Sequence, residues 1–124
     1  MLQDNSLIFF EDDSDVSAST ILELDGSALS RAFVFCTLPA GLTDMAITLK
    51  MADAKTNSTT LTSPVEEVHN ASASDLARGY MFFPLPANGY KYAQVAADLT
   101  GSPAKNCVCG ITDAPDNTEV HVKA

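Results

Sequence analysis

Alternation of apolar and polar side chains is the sequence feature that most constrains the fold. The apolar residues Met45, Ile47, Leu49 and Met51 are separated by small, polar or charged residues. Because successive side chains of a β-strand point to opposite faces, this period of two places one face against a core. The segment therefore predicts a half-buried strand, the clearest one in the chain.

Two later segments alternate in the same way. The apolar positions of the first are Ala93, Val95, Ala97 and Leu99, and those of the second are Cys107, Cys109 and Ile111. The residues that follow the first segment, Thr100 to Pro103, are typical of a turn. We predict an antiparallel hairpin whose second strand directs both cysteines towards the core.

Shorter apolar runs predict the remaining strands, at residues 6–10, 20–24, 32–38, 61–68, 80–83 and 119–122. The run from Ala32 to Cys36 is apolar on both faces, which favours a central strand that is covered on each side. A short helix is predicted at residues 72–78, ended by Gly79. This spacing indicates a single all-β domain over residues 1–124, an antiparallel sandwich or barrel of about eight or nine strands.

The net charge of the chain limits the kinds of partner that it is expected to bind. The chain contains seven Lys and Arg and sixteen Asp and Glu, which gives a formal net charge of −9, and the basic residues are scattered along the sequence. Phosphate backbones are bound by clustered cations, so nucleic acid is not an expected partner.

No apolar stretch approaches the roughly 18 residues of a membrane helix, and no signal-peptide pattern is present. We expect a soluble protein with reduced thiols and no membrane partner.

Cys107 and Cys109 are the first candidates for a chemical site. Because they are two residues apart on one strand, their Cα atoms lie near the outer limit for a disulfide, which argues against an unstrained bridge between them. A zinc site usually needs about four ligands. The other candidates come from separate segments, at Cys36, His69 and His121. Buried strand positions are therefore the favoured interpretation of both cysteines.

The other polar candidates also favour structural interpretations. Glu66 and Glu67 occupy consecutive strand positions and point to opposite faces, which argues against a paired-carboxylate site. The acidic run from Glu11 to Asp15 lacks the ligand spacing of an EF-hand, which favours a solvated turn over a cation site. His69 and His121 accompany no catalytic motif, and we expect both to be exposed. No catalytic residue, metal site or cofactor is predicted.

Aromatic side chains supply a candidate contact surface. Seven aromatic residues lie in adjacent or alternating positions: Phe9, Phe10, Tyr80, Phe82, Phe83, Tyr90 and Tyr92. If these segments are strands, some of the seven rings must point away from the core. Exposed aromatic rings are typical of contact surfaces between proteins.

Several segments, in their order along the chain, carry a family resemblance: MLQDNSLIF at the start, ILELDG, SP at residues 63–64, FFPLP, YKY, and GSP at residues 101–103. Together they resemble the small capsid cement, or decoration, proteins of tailed bacteriophages, particularly the jelly-roll type found on short-tailed phages. The resemblance spans nearly the whole chain.

The resemblance implies a jelly-roll β-sandwich that binds the exterior of an icosahedral capsid after synthesis in the host bacterial cytoplasm. It implies that the protein bridges subunits of the major capsid protein, stabilises the expanded shell and has no catalytic residues. A homo-oligomer is expected, with a dimer favoured over a trimer. The resemblance also implies a contact arm at residues 1–10. The residues expected to contact the shell or a second copy are Leu2, Leu7, Phe9, Phe10, Phe82, Tyr90 and Tyr92.

Two alternatives remain open at this point. A carbohydrate-binding β-sandwich of a phage tail or surface adhesin would stack sugar rings on Tyr80, Tyr90 and Tyr92. A small metal-dependent β-barrel enzyme would contain stoichiometric zinc or iron.

Overall fold

The computed structural model describes residues 8–24, 32–85 and 90–112. The predicted contact residues Leu2 and Leu7 and the predicted strand at residues 119–122 lie outside these ranges. Ten strands and one helix lie within them: β1 (Ile8–Asp12), β2 (Leu22–Glu23), β3 (Phe33–Thr37), β4 (Leu42–Ala52), β5 (Lys55–Asn57), β6 (Thr60–Leu61), β7 (Val65–Asn70), α1 (Ala73–Arg78), β8 (Tyr80–Pro84), β9 (Tyr92–Gly101) and β10 (Cys107–Thr112).

Eight of these strands form two four-stranded antiparallel sheets. The first sheet has the order β1-β10-β3-β8, and the second has the order β2-β9-β4-β7. Strands β5 and β6 form a separate small hairpin.

The pairing is nested: β1 pairs with β10, β2 with β9, β3 with β8, and β4 with β7. The described chain is therefore one long antiparallel hairpin with β5–β6 at its tip, and successive strand pairs alternate between the two sheets. This arrangement is a jelly roll, in which two sheets of four strands face each other. The predicted fold class is confirmed.

Strand β4 shows why the alternating sequence folds in this way. Met45, Ile47 and Leu49 are fully buried, and Met51 is nearly so. The residues between them are half-buried and lie on the outer face of the second sheet. The apolar face packs against the inner face of the first sheet, within one core cluster that includes Val34, Cys36, Met81, Phe83, Val95 and Ile111.

Strand β3 is central, as its sequence predicts, because it lies between β10 and β8. Val34 and Cys36 belong to the core cluster. Phe35 points to the opposite face, yet it is 0% exposed. Burial on both faces explains why this segment is continuously apolar.

The hairpin predicted for the segments at residues 93–99 and 107–111 is wrong. Strand β9 lies between β2 and β4 in the second sheet, whereas β10 lies between β1 and β3 in the first. Both edges of β9 are already paired, so the chain crosses to the other sheet after Gly101. The crossing is tight: Gly41 and Gly101 have φ angles of 97° and 116°, and a Cβ on Gly101 would overlap the Gly41 carbonyl oxygen.

The strand predicted at residues 61–68 is also wrong as a single element. It divides into β6 and β7, with Ser63 at a φ of 48° between them. Pro64, which follows, has no N–H to donate to a ladder. The interruption allows the chain to leave the small hairpin and enter the edge of the second sheet.

Helix α1 confirms the short helix predicted before Gly79. The Ser72 hydroxyl accepts from the Asp75 N–H at 3.1 Å, and the Asp75 carboxylate accepts from the Ser72 N–H at 2.9 Å. This reciprocal capping box satisfies two N–H groups of the first turn. Gly79 ends the helix with a φ of 92°.

The acidic run begins with the last two residues of β1, Glu11 and Asp12, and continues as a turn. The Asp12 carboxylate accepts from the N–H of Asp13 at 2.8 Å and from the N–H and hydroxyl of Ser14 at 3.2 and 3.0 Å. These hydrogen bonds, those from Ser14 first, lower the pKa of Asp12. Asp15 accepts from the Leu99 N–H at 2.9 Å, which attaches the turn to β9. This geometry agrees with the turn interpretation of the run.

Candidate protein-contact face

Four aromatic side chains share the outer face of the first sheet. Phe33 and Phe35 alternate with the core residues of β3, and Tyr80 and Phe82 alternate with those of β8. The antiparallel register places Phe35 opposite Phe82. We call these four residues the outer aromatic face.

The rings pack against one another at ordinary aromatic distances. Phe33 and Phe82 meet edge to face with centroids 6.0 Å apart. Phe35 and Tyr80 are stacked at 5.3 Å, and Tyr80 and Phe82 are near-parallel at 6.3 Å. Such pairs add about 0.5–1.5 kcal/mol each beyond the area they bury. The four rings therefore hold one another in place.

Arg78, the last residue of α1, covers one end of this face. Its guanidinium carbon lies 4.6 Å from the Tyr80 ring centroid and 5.5 Å from that of Phe82. Its Nη2 contacts Asp75 Oδ1 at 2.7 Å, and its Nε donates to the Tyr80 carbonyl oxygen at 3.1 Å. A cation above aromatic rings is electrostatically favourable, and the hydrogen bonds fix its position.

The face combines a buried centre with a partly exposed rim. Phe35 is fully buried, whereas Phe33, Tyr80 and Phe82 are half-buried. Gly110 lies directly opposite Phe35 on β10, so no side chain stands between Phe35 and the β10 backbone. Three half-buried rings therefore form an aromatic surface, and the Arg78–Asp75 ion pair lies at its edge.

Among the predicted contact residues, Phe82 lies on this face, but Phe9 and Phe10 do not. Phe9 is 3% exposed and Phe10 is 8% exposed, and both belong to the core cluster. The register of β1 shifts between Ile8 and Phe10. A β-bulge breaks the alternation of faces, so two neighbouring side chains can both point inward. The assignment of Phe9 and Phe10 to a contact surface is corrected accordingly.

Tyr90 and Tyr92 are not brought together with Phe82. Tyr92 begins β9 in the second sheet and is half-buried, with Lys55 Nζ 5.2 Å from its ring centroid. Tyr90 is half-buried and packs against the core cluster. Of these three predicted contact residues, Phe82 therefore lies in the first sheet, Tyr92 in the second, and Tyr90 in the segment before β9.

His69 is not the exposed residue that its sequence context suggests. It lies opposite the core residue Ile47 in the pairing of β7 with β4. Its ring is parallel to that of Phe83 within 4°, at a centroid distance of 3.7 Å. Its Nε2 lies 3.1 Å from Glu67 Oε1. His69 therefore packs between the sheets at their open side, whereas His121 lies outside the described residues.

The cysteines occupy the positions that the alternation predicts. Cys36, Cys107 and Cys109 are free thiols that are each 0% exposed. Burial raises the pKa of Cys107 to about 11 and raises the pKa of Cys109 well above its ordinary value. A thiol with a raised pKa is a weak nucleophile at neutral pH, which fits a packing role.

Two further observations concern the described ranges alone. No group of three or more His, Cys, Asp or Glu side chains is arranged to hold a metal ion there. In the same ranges, no helix has both the length and the apolar character needed to cross a membrane.

The sequence indicates only half of the outer aromatic face, Tyr80 and Phe82. The sequence does not assign Phe33, Phe35 or Arg78 to a contact surface. The apolar residues on both faces of β3 nevertheless predict that the outer face of this strand is covered as well as the inner one. Comparison of the chain with protein-family models, curated proteins and solved structures gives no match.

Proposed function

We propose that this chain is a structural virion protein that binds the outer surface of an icosahedral phage capsid, bridges major capsid subunits and stabilises the expanded shell. The family resemblance of the sequence and the jelly-roll fold support this proposal. The outer aromatic face is the observation that carries it, because this face gives a rigid sandwich a specific place to bind another protein.

The outer aromatic face has the composition of a protein-binding surface. Aromatic residues and arginine are enriched in the buried centres of interfaces and account for much of their binding energy. Because Phe33, Tyr80 and Phe82 already pack against neighbouring rings, little side-chain freedom is lost on binding. Such a surface binds through shape and apolar burial without any catalytic group.

The charge of the chain suits the same role. A net charge of −9 repels the phosphate backbone of nucleic acid and favours a basic surface on the partner. A protein that decorates a shell can contact two capsid subunits at once. Because the second contact then forms within an existing complex, a modest affinity for each subunit is sufficient.

Self-association is part of the proposal, with a dimer favoured over a trimer. Val65 and Val68 are the exposed large apolar side chains of the described residues, at 46% and 61% exposure. Both lie on β7, an edge strand of the second sheet. An edge strand offers unpaired backbone groups that the same strand of a second copy can bind. The outer aromatic face, on the other sheet, then stays free for the shell.

The tyrosines give less support to carbohydrate binding. Sugar stacking needs an open ring face, but Phe35 stacks on Tyr80, Arg78 lies over the Tyr80 ring, and Lys55 lies over Tyr92. Tyr90 packs against the core cluster. These contacts leave the three rings poorly placed to act together on a sugar chain.

Co-sedimentation with purified capsids tests the proposed function. We expect expanded shells to capture the protein in a saturable manner and unexpanded shells to capture much less. Equal capture by both forms, or by neither, would contradict the proposal. Titration with candidate sugars on a glycan array serves as the parallel measurement, because saturable binding that Tyr80→Ala or Tyr92→Ala abolishes would favour the carbohydrate-binding alternative.

A further inference from the structure

Cys36 and Cys109 lie directly opposite each other on the two central strands of the first sheet. They are register partners in the pairing of β3 with β10. Their Sγ atoms are 2.7 Å apart, and both residues are 0% exposed. The two thiols therefore face each other inside the core although 73 positions separate them in the sequence.

The backbone geometry at this pair suits a covalent bridge. The Val108 N–H donates to Thr37 Oγ1 at 2.8 Å, so it points towards β3. N–H directions alternate along an antiparallel strand, and the Cys109 N–H consequently points away from β3. Cys36 and Cys109 thus occupy a non-hydrogen-bonded pair, where Cα atoms are about 4.5 Å apart. A disulfide needs Cα atoms about 4.4–6.8 Å apart.

Cys107 is a natural internal control. It points to the same face of β10 and is equally buried, but its register partner is Asp12 on β1. Its position relative to Cys36 is diagonal, a relationship in which Cα atoms are about 7–8 Å apart and beyond the reach of an unstrained disulfide. Only one of the three possible pairs is therefore well placed.

We propose that Cys36 and Cys109 form an oxidisable dithiol that is converted to a disulfide by exchange with a small disulfide such as oxidised glutathione. One protein thiolate attacks glutathione disulfide, which forms a mixed disulfide and releases one glutathione thiolate. The second protein thiolate attacks the protein sulfur of that mixed disulfide and releases the second glutathione thiolate. Two protein thiols are oxidised, one glutathione disulfide is reduced to two glutathiones, and the two thiol protons pass to these thiolates.

The exchange takes place while the chain folds or when the sheet opens. In the closed sandwich both sulfurs are inaccessible, and burial raises the pKa of Cys109, which disfavours its thiolate. The reduced native protein therefore reacts slowly, whereas a refolding chain passes through states in which both thiols are accessible and are being brought into register.

The bridge has a structural consequence. It would join β3, which carries Phe33 and Phe35 of the outer aromatic face, to β10 beside it. Closing a long loop restricts the unfolded chain and so stabilises the folded one. This inference is independent of the proposed function, because it concerns the core and requires no partner.

Refolding in two redox conditions tests the inference. The protein is unfolded in denaturant and refolded either in a glutathione redox buffer or in excess phosphine reductant. Free thiols are then alkylated, and the products are read by intact-mass and peptide mass spectrometry. In the glutathione buffer we expect one alkylated thiol, at Cys107, and a linked Cys36–Cys109 peptide. We also expect a Tm about 10 °C higher than that of the reduced protein.

Two variants complete the design. Cys107→Ala should keep the linked peptide and the rise in Tm, whereas Cys36→Ala should lose both. Three alkylated thiols after refolding of the wild-type protein in the glutathione buffer would overturn the proposal, as would a linked peptide that contains Cys107. Because the linkage is read on the wild-type chain, a folding defect in either variant leaves the result decisive.

Discussion

The rings of His69 and Phe83 stack face to face between the two sheets, with centroids 3.7 Å apart and planes within 4° of parallel. His69 belongs to β7 and Phe83 to β8, the strands at one side of the sandwich that are joined through α1. The stack therefore closes the side of the core where neither strand has a further neighbour in its sheet.

Removing this stack should destabilise the sandwich. We expect His69→Ala to lower the free energy of unfolding by about 1–2 kcal/mol, because an aromatic contact is lost and Phe83 becomes exposed. His69→Phe keeps a ring in place and should cost much less. Urea unfolding followed by circular dichroism measures both values. An alanine variant as stable as the phenylalanine variant would contradict this role of His69.

The crossing from one sheet to the other should depend on glycine. Gly101→Ala forces a side chain into a φ of 116° and against the Gly41 carbonyl oxygen, so we expect a loss of about 2–3 kcal/mol. Gly79→Ala is the matched control. Its φ is 92°, but its nearest neighbour would be 3.8 Å from the new Cβ, and the loss should be about 1 kcal/mol. Equal losses in urea unfolding would show that the close approach at Gly101 is unimportant.

The buried thiol of Cys107 predicts a pH dependence of stability. Its pKa rises from 9.0 to about 11 on folding, so above pH 9 the unfolded chain loses a proton that the folded chain retains. The contribution of this thiol to the free energy of unfolding is therefore fully present below pH 9. It decreases by about 1.4 kcal/mol per pH unit as the pH rises towards 11.

The measurement is urea unfolding in a reducing buffer at two alkaline pH values. Cys107→Ala should show a shallower fall than the wild-type protein, because one thiol no longer contributes. Identical slopes for the two proteins would contradict the assignment of this pH dependence to Cys107.

Self-association through β7 makes a specific prediction about register. The Ala71 N–H donates to the Met45 carbonyl oxygen at 2.8 Å, so by alternation the Val68 N–H points outward from the sheet edge. Antiparallel pairing centred on Val68 sets Glu67 opposite His69 of a second copy. Pairing centred on Glu67 would instead oppose two carboxylates, which is unfavourable.

Cysteine cross-linking reads that register. Val68→Cys should form an intermolecular disulfide under mild oxidation, because Val68 faces itself across the two-fold axis. Glu66→Cys should not, because the two copies of Glu66 would be separated by four positions along the strands, roughly 13 Å. Cross-linking of Glu66→Cys alone, or of neither variant, would exclude a dimer of this register.

The sequence predicts which side chains of a strand share a face better than it predicts the neighbouring strand. The alternation of Met45 to Met51 and the inward direction of Cys107 and Cys109 are both confirmed. The prediction of a hairpin between β9 and β10 is wrong because a short polar connection can form either a turn within one sheet or a crossing between two sheets. Only the pairing of β9 with β2 and β4 decides between them.

The candidate site was predictable only in part, for related reasons. Phe82 lies on the outer aromatic face, as predicted. The bulge in β1 that turns Phe9 and Phe10 inward cannot be recognised from the pattern of apolar and polar residues. The position of Arg78 above Tyr80 depends on how α1 meets β8, which is a tertiary contact. Periodicity alone contains none of this information.

Binding of a Phe82→Ala variant to expanded capsids tests the central claim most directly. Phe82 touches both Phe33 and Tyr80 on the outer aromatic face, whereas Tyr92→Ala alters an aromatic residue of the other sheet and is the matched control. With folding of both variants verified by circular dichroism, we predict that Phe82→Ala lowers the affinity at least about tenfold and that Tyr92→Ala leaves it unchanged. Wild-type affinity in the Phe82→Ala variant would contradict the account.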